Sequence, residues 1–572
     1  MISTMMQRRL STYFFAPLLL LGASLSGYAQ GPAPNESFRQ TFNLSDGFWR
    51  DALRFSSTRF GGTARFQGLA GATTAVGGDV SSALVNPAGL GLMRRSEASA
   101  SVTALSIGTN STLGGEIRPI NANAPLEFTQ FNDNNGNASN FNLNINQFGV
   151  VFASDRGGDR DFRGGAFAIN FSRTNDFRVT TQYSAVNTSN SVIDNMLERT
   201  DNVVNWDRLI RDRNNNDLYS VDRLGFATYL IRPFFGDTTG RNSWESFVPR
   251  APAVQGERIV RTGSQGQWNL SYGANYKDKI YLGIGLGIAT LRYTTTRSYT
   301  EQVINSQTGG PNGTRLPLDN LLLRDTYNQD GTGVNGSIGL IARPVNAVRI
   351  GLSFTTPTFY RINDTYQSDL SVQYNNIRVT DFTFNPARSV LLNQLSVAGP
   401  SDPATYNMRT PMRANAGVMF LVGKKGFVSV DAEYVDHRST RFTKSDIFNF
   451  DRDQIVISTI YKAVINLRAG AEIRVKDFRV RGGYALYPNP VQPFNNEAPS
   501  VYFNSNTYLT GGLGWRKADF FFDLAVVYNT YNTAYRPYTL TRLDEQNQPP
   551  VNPLVNSANN RLFVTLSGGI FF

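Results

Sequence analysis

The chain has 572 residues, is 41% hydrophobic and 17% charged, and carries a formal net charge of +11 with one histidine and no cysteine. No cysteine means no disulfide, thiolate metal site, cysteine nucleophile or N-terminal lipoprotein anchor. The single histidine, His437, excludes a multi-histidine metal centre and leaves no constellation for a nucleophilic triad. The positive excess forms no basic stripe interleaved with aromatics, so it favours anionic lipid headgroups over nucleic acid.

The N-terminus reads as an export signal. Arg8 and Arg9 precede a mostly apolar stretch from Tyr13 to Leu25, and Gly27-Tyr28-Ala29 offers small residues for cleavage. Residues 1–29 are therefore expected to be removed. Nothing later reaches about 18 uninterrupted apolar residues, so a spanning helix is not expected.

Residues 30–93 do not show the alternation found downstream. Their last third, Leu69 to Leu90, is rich in small residues and turn formers. Asp79, with Ser81 and Ser82, can cap a helix start. Asn86-Pro87 signals a turn, Ala88 follows, and Gly89 permits positive φ.

From residue 94 onward, apolar and polar or small residues alternate in run after run. In one run Ile280, Leu282, Ile284, Leu286 and Ile288 share a face, opposite Tyr281, Gly283, Gly285, Gly287 and Ala289. Alternation over about 9–11 residues suits a strand that crosses a bilayer at a tilt, apolar side to lipid and small or polar side to a lumen. Strands are expected near 96–107, 143–154, 163–173, 266–277, 279–292, 334–343, 346–356, 411–422, 426–435, 464–475, 478–487, 507–516, 519–531 and 561–572. Short turns join six hairpins, at 155–161, 277–279, 344–346, 423–425, 476–477 and 517–518, and long polar connections separate them. That asymmetry marks outer-membrane barrels. Segment 369–383 is expected as a hairpin within a long outer connection. In the connection 174–265, Val192, Met196, Leu197, Leu209 and Ile210 follow a helical spacing. Short helices and an apolar outer surface are expected there, or a lid that packs its own hydrophobics.

The expected fold is all-β: a 14-stranded antiparallel transmembrane β-barrel with an N-terminal hatch in the lumen and long extracellular loops. The last strand, Arg561 to Phe572, would close on the first. Phe520, Phe522 and Phe572 would mark the periplasmic rim, and Trp268 and Tyr528 the outer rim. Asp431, Glu433, Arg468, Glu472, Arg474, Arg479, Arg481 and Asp523 fall on inward faces. The turn at 476–477 would set Glu472 opposite Arg481 and Arg474 opposite Arg479. Such groups would form an ion-pair network that fills the barrel and anchors the N-terminal segment, or one arginine would hold a ligand carboxylate. His437, where a strand meets a loop, is expected to be solvated.

The segment Leu69–Leu90 resembles the N-terminal hatch of the FadL-type outer-membrane transporters of long-chain fatty acids and aromatic hydrocarbons. Gly71-Ala72, Ala75, Asp79, Ser82-Ala83 and above all Asn86-Pro87-Ala88-Gly89-Leu90 carry the resemblance. Gly61-Gly-Thr-Ala-Arg65 and Asp431-Ala-Glu-Tyr-Val-Asp436 are similar to the Bacteroidetes branch of that family.

The resemblance implies a Gram-negative outer-membrane protein surrounded by lipid and lipopolysaccharide, expected as a monomer, without enzymatic activity or cofactor. It implies passive uptake of a hydrophobic small molecule through an outer groove and a lumenal pocket, with a shift of the hatch, including Asn86, Pro87 and Ala88, and sideways exit through the wall. Asp79 and Gly89 are counted with them as gating candidates. Another class stays open: FadL-like barrels that serve type IX secretion as shuttles holding secreted cargo.

Overall fold

The computed structural model describes residues 47–117, 127–155, 161–200, 206–234, 244–246, 248, 252–304, 316–380, 389–401, 403–445, 448–492, 505–542 and 547–572. The expected signal, residues 1–29, and the first part of the N-terminal segment lie outside them. No described helix is long and apolar enough to cross a membrane, which says nothing of strands.

Fourteen strands build one closed wall. In chain order they are β1 (Glu97–Ile117), β2 (Asn137–Asp155), β3 (Phe162–Asp176), β4 (Ala253–Tyr276), β5 (Ile280–Val303), β6 (Leu318–Val345) and β7 (Val348–Thr355). They continue as β8 (Arg413–Val422), β9 (Gly426–Asp436), β10 (Ala463–Val475), β11 (Phe478–Tyr487), β12 (Asn506–Arg516), β13 (Phe520–Tyr535) and β14 (Val551–Phe571). Each pairs antiparallel with its neighbour, and β14 closes on β1 from Glu97↔Phe571 to Ile117↔Val551. Pairing of β14 with β1 removes the terminal edges of the sheet, which is what a barrel in lipid requires. All fourteen expected strands are present.

The outer face is apolar: Leu282, Ile284 and Leu286 on β5 and Leu566 and Ile570 on β14 are all more than half exposed. Trp515, Phe520 and Phe522 cluster at the short-turn end, and Phe572 is exposed there.

Several strands run well past a membrane's thickness, and here the expected boundaries need correction. The connection 174–265 is not loop throughout. A strand over Val179–Asn187 pairs along β4, whose start lies at Ala253 rather than near 266. The alternation was hard to read there because the inward positions are large and polar: Gln255 and Glu257 are fully buried in side-chain contacts. Between them lie the expected short helices: α1 (Val192–Thr200), α2 (Trp206–Asn214) and α3 (Val221–Ala227). Ile193, Met196, Leu224 and Phe226 are buried with Tyr299 and Tyr374 of the strand extensions. The described hydrophobics of this connection pack on one another and on these strands. The described part of segment 369–383 lies in a strand, Phe359–Thr380, that pairs with Ser389–Ala398 and stands outside the wall count as expected; 381–383 lie outside the described residues.

Candidate functional site

Residues 47–93 lie inside the barrel, and the glycine-rich inward faces explain how they fit. Gly273, Gly283, Gly339, Gly351, Gly417 and Gly470 sit on strands β4, β5, β6, β7, β8 and β10. A Cβ at Gly283 would press on Pro87 and on the Ala88 amide well inside 3.0 Å, and one at Gly339 on the Asn86 side chain. At Gly351 the obstacle is the Thr74 carbonyl, and at Gly470 that of Leu69. The wall is bare of side chains where the inner segment's backbone touches it.

Polar groups pin the segment where glycines do not. Asp431 Oδ2 accepts from the Thr74 amide at 2.8 Å, and Ser567 Oγ accepts from the Ala64 amide at 2.7 Å. Thr565 Oγ1 donates to Gln67 Oε1 at 3.0 Å.

Within the segment, Asn86 is the joint. Its amide donates to the Thr74 carbonyl at 2.7 Å and to the Leu340 carbonyl of the wall at 3.3 Å, while its Oδ1 accepts from the Ala88 amide at 3.1 Å. Pro87 then opens a short 3-10 helix, Pro87–Leu92, and the Gly89 carbonyl accepts from the Gly78 amide at 3.0 Å. Asp79 does not cap the helix Ser82–Val85, whose N-cap Ser81 makes no capping bond and accepts instead from the Thr63 amide at 2.9 Å. Its two oxygens are taken instead by the Ser81 amide at 2.8 Å and the Thr63 hydroxyl at 2.9 Å, which ties two turns of the segment together.

The inward charges are largely paired. Arg481 reaches Glu472 at 2.8 Å and Asp523 at 2.5 Å and is fully buried. Arg65 of the inner segment joins them at 3.5 Å from Glu472. Glu433 is bound by both Arg468 and Arg413. The registers Glu472↔Arg481 and Arg474↔Arg479 are as expected. Two of the eight are not lumenal, however. Arg474 is exposed, and Arg479 is half-buried and donates to the carbonyls of Lys476 and Phe478. Their positions at the last turn of the wall put them past the lumen's floor, where alternation alone cannot tell an inward face from a rim.

His437 is a further correction. It is buried, its Nδ1 lies 3.3 Å from the Ser56 hydroxyl, and burial, helped by the Arg413 charge, pushes its pKa down to about 3. The helix Phe48–Ser56 covers it, an arrangement no local pattern announces.

Two of the cavities beside the inner segment bear on the site. The larger, about 300 Å³, is lined by arginines and aromatic rings. The smaller, about 110 Å³, lies across the strap 57–62 from it. Among the described residues there is no cluster able to hold a metal.

The wall beside these cavities is incomplete. Strands β2 and β3 pair only from Gln147↔Ser172 to Asp155↔Gly164. Further up, β2 stays paired with β1 to Asn110↔Asn137, and β3 and its continuation stay paired with β4. Between the two free edges no ladder runs among the described residues until Asn135↔Ser184 closes the top. One side-chain bond crosses, Thr180 Oγ1 to Asn140 Oδ1 at 3.4 Å. Phe141, Leu143 and Ile145 line the outer side and are more than half exposed.

The strap seals this window from within. The Arg59 amide donates to the Thr174 carbonyl at 3.0 Å, Asn175 Nδ2 donates to the Ser57 carbonyl at 2.9 Å, and Asn146 Nδ2 donates to the Gly62 carbonyl at 2.6 Å. The sequence carries a trace of the window. Outward residues fall on odd numbers through Ile145 and on even numbers from Phe148, so the phase slips at Asn146-Gln147, where the register with β1 also shifts.

No family model matches the sequence, and no curated protein matches it. Among solved structures, a Pseudomonas aeruginosa FadL homologue is similar with a TM-score of 0.48 and 12% identity, covering 90% of this chain and 98% of that one. The P. putida toluene transporter TodX is similar at 0.42 and 10% identity, over 90% and 99%. The Ralstonia pickettii toluene transporter TbuX is similar at 0.40 and 15% identity, over 90% and 99%. The fourteen-stranded barrel itself rests on the strand registers.

Proposed function

We propose that this chain is an outer-membrane channel for passive uptake of hydrophobic small molecules, long-chain fatty acids or aromatic compounds, with a hatch inside the barrel and a lateral exit. The observation that carries the reading is the window between β2 and β3. With the strap displaced it would join an internal cavity to an apolar outer face, and an apolar solute that leaves there enters lipid without crossing water. The inner segment, residues 47–93, acts as the hatch. Its strap 57–62 is the part that must move, because it bonds to both edges of the window. Asn86, Pro87, Ala88 and Gly89, with Asp79, fix the rest of the hatch against the wall and set how far it can shift. In this reading the short-turn end faces the periplasm and the lid faces outward. The driving force is partitioning of the ligand, and no chemistry is performed on it.

A shuttle that holds secreted cargo would need no cavity in its lumen and no window, so those two features favour the channel. The test is uptake by proteoliposomes. Vesicles holding the protein should take up a labelled long-chain fatty acid or a monoaromatic hydrocarbon faster than empty vesicles, with no gain for a sugar of similar size. Equal rates with and without protein would defeat the reading.

A further inference from the structure

Lysine is distributed unevenly along this chain. There are eight, and six of them, Lys277, Lys279, Lys424, Lys425, Lys476 and Lys517, fall in the short turns at one end of the barrel. The rest of the chain holds only Lys444 and Lys462.

The short turns differ in what balances this charge. On one side of the rim the cations are paired: Arg94 with Asp278 at 3.2 Å, Arg95 with Asp519 at 3.6 Å, Lys277 with Asp161 at 3.1 Å, and Lys517 with Asp477. The turns β8–β9 and β10–β11 are different. Lys424, Lys425, Arg474 and Lys476 are exposed there, and among the described residues no carboxylate lies within ion-pair distance of them. Asp477, the one acid in these two turns, is taken by Lys517. The two turns touch, because β9 pairs with β10 and the Arg474 amide donates to the Lys425 carbonyl at 2.6 Å. Four positive charges therefore stand in one patch and repel each other with no acid to offset them.

The patch borders an apolar face. Val422, Val475 and Phe478 each lie within two residues of one of its cations and are more than half exposed. Lipid headgroups lie at such a boundary, where a lysine rests its apolar stem on the wall and holds its ammonium among phosphates. A soluble acidic partner needs no apolar flank.

Higher on the same strands the outer wall is hollow. Ala414 and Ala416 of β8 and Ala432 of β9 line a depression of about 880 Å³, with Leu352, Phe354 and Tyr434 around them. Ala416 stands six residues from Val422, and Ala432 six from Gly426. Six residues of strand rise about 20 Å, which is about 15 Å of depth at the tilt of a barrel strand. That is half of a hydrocarbon core of about 30 Å, so an acyl chain whose headgroup sits on the patch reaches the hollow.

We propose that the outer wall at the short-turn end, from β8 to β11, binds one anionic phospholipid of the inner leaflet, with its phosphate on Lys424, Lys425, Arg474 and Lys476 and an acyl chain in the hollow above. The site needs no channel activity, only a barrel that stands in a membrane with its short turns at that leaflet.

The test places the full chain in vesicles of equal phosphatidylglycerol and phosphatidylethanolamine with matched acyl chains. The protein is extracted into a mild non-ionic detergent, and mass spectrometry measures the lipid that stays bound. Phosphatidylglycerol should be retained at least about tenfold over phosphatidylethanolamine, since each cation near an anionic surface contributes about fivefold. Lys424→Gln/Lys425→Gln/Lys476→Gln should remove most of that preference. Lys277→Gln/Lys517→Gln, whose lysines have carboxylate partners, should keep it. Ala416→Leu fills the hollow without touching a charge and should lower retained phosphatidylglycerol severalfold. Equal retention of the two lipids by the unsubstituted protein would overturn the site without recourse to any variant. A preference that Ala416→Leu leaves whole would overturn a seated lipid in favour of diffuse attraction to charge. Binding of polyglutamate with no lipid preference would overturn the lipid in favour of an acidic polypeptide. Uptake is not read, so each of these results leaves the channel reading standing.

Discussion

The contact between the glycine faces and the inner segment can be broken with a single methyl group. Gly283→Ala places a Cβ against the Ala88 amide and the Pro87 carbonyl carbon, both backbone atoms held in a short 3-10 turn. Neither can rotate away as a side chain would, so the turn or the strand must shift. Overpacking of this kind costs about 1–3 kcal/mol. A shift of the turn also lengthens the 3.3 Å bond from Asn86 to the Leu340 carbonyl and disturbs the bond to Thr74, each worth about 1 kcal/mol. The expected loss is about 2–4 kcal/mol. The control is Gly511→Ala, where a Cβ meets nothing within 4 Å. It should change stability by no more than about 0.5 kcal/mol. Guanidinium unfolding of both variants in phospholipid vesicles measures the difference. Leak of a small hydrophilic solute should rise for Gly283→Ala alone. If the two variants unfold together and leak alike, the segment does not seat on the bare wall as described.

Other outcomes follow from the paired charges and the buried histidine. Arg481→Ala leaves Glu472 and Asp523 buried without their shared partner and should lower stability by about 3–5 kcal/mol in the same unfolding assay. If it instead weakens binding of a long-chain fatty acid at unchanged stability, the arginine that holds a ligand carboxylate is Arg481. His437 is held neutral in the fold, with a pKa near 3 against about 6.5 in the unfolded chain. As pH falls below about 6.5 the unfolded chain takes up a proton and the fold does not, so stability drops between about pH 6.5 and 3. The loss should reach about 2 kcal/mol at pH 5. The drop should be smaller by that amount in His437→Gln. Identical pH profiles for the two proteins would show that the histidine is solvated.

The wall was legible in the sequence because lipid and lumen impose a two-residue period, and each strand declares it without reference to the others. Ile280 to Ile288 identifies β5 by itself. Even the register across the turn at 476–477 could be read, since a tight turn fixes which residues face. What failed were positions decided by distant partners. His437 lies on a polar-looking turn, and only the helix 48–56, nearly four hundred residues away, buries it. Arg474 and Glu472 share a face, but one more step along the strand leaves the lumen. The inward glycines were visible as small residues; that they match the backbone of 69–91 atom for atom is a property of two segments together. The window left a trace in the slipped alternation at Asn146-Gln147. The larger cavity left none, because its lining residues Arg59, Arg261 and Arg561 stand far apart in the chain and converge only when the barrel closes.

Lateral exit requires movement through the window between β2 and β3, and a reversible clamp tests it. Asn140 and Thr180 face each other across the gap, and the chain has no cysteine of its own. The double variant Asn140→Cys/Thr180→Cys, joined by a short dithiol-reactive reagent in proteoliposomes, should lose uptake of a long-chain fatty acid and regain it when the link is reduced. Each single variant treated alike should transport normally. Full uptake through a clamped window would contradict a lateral exit at this place.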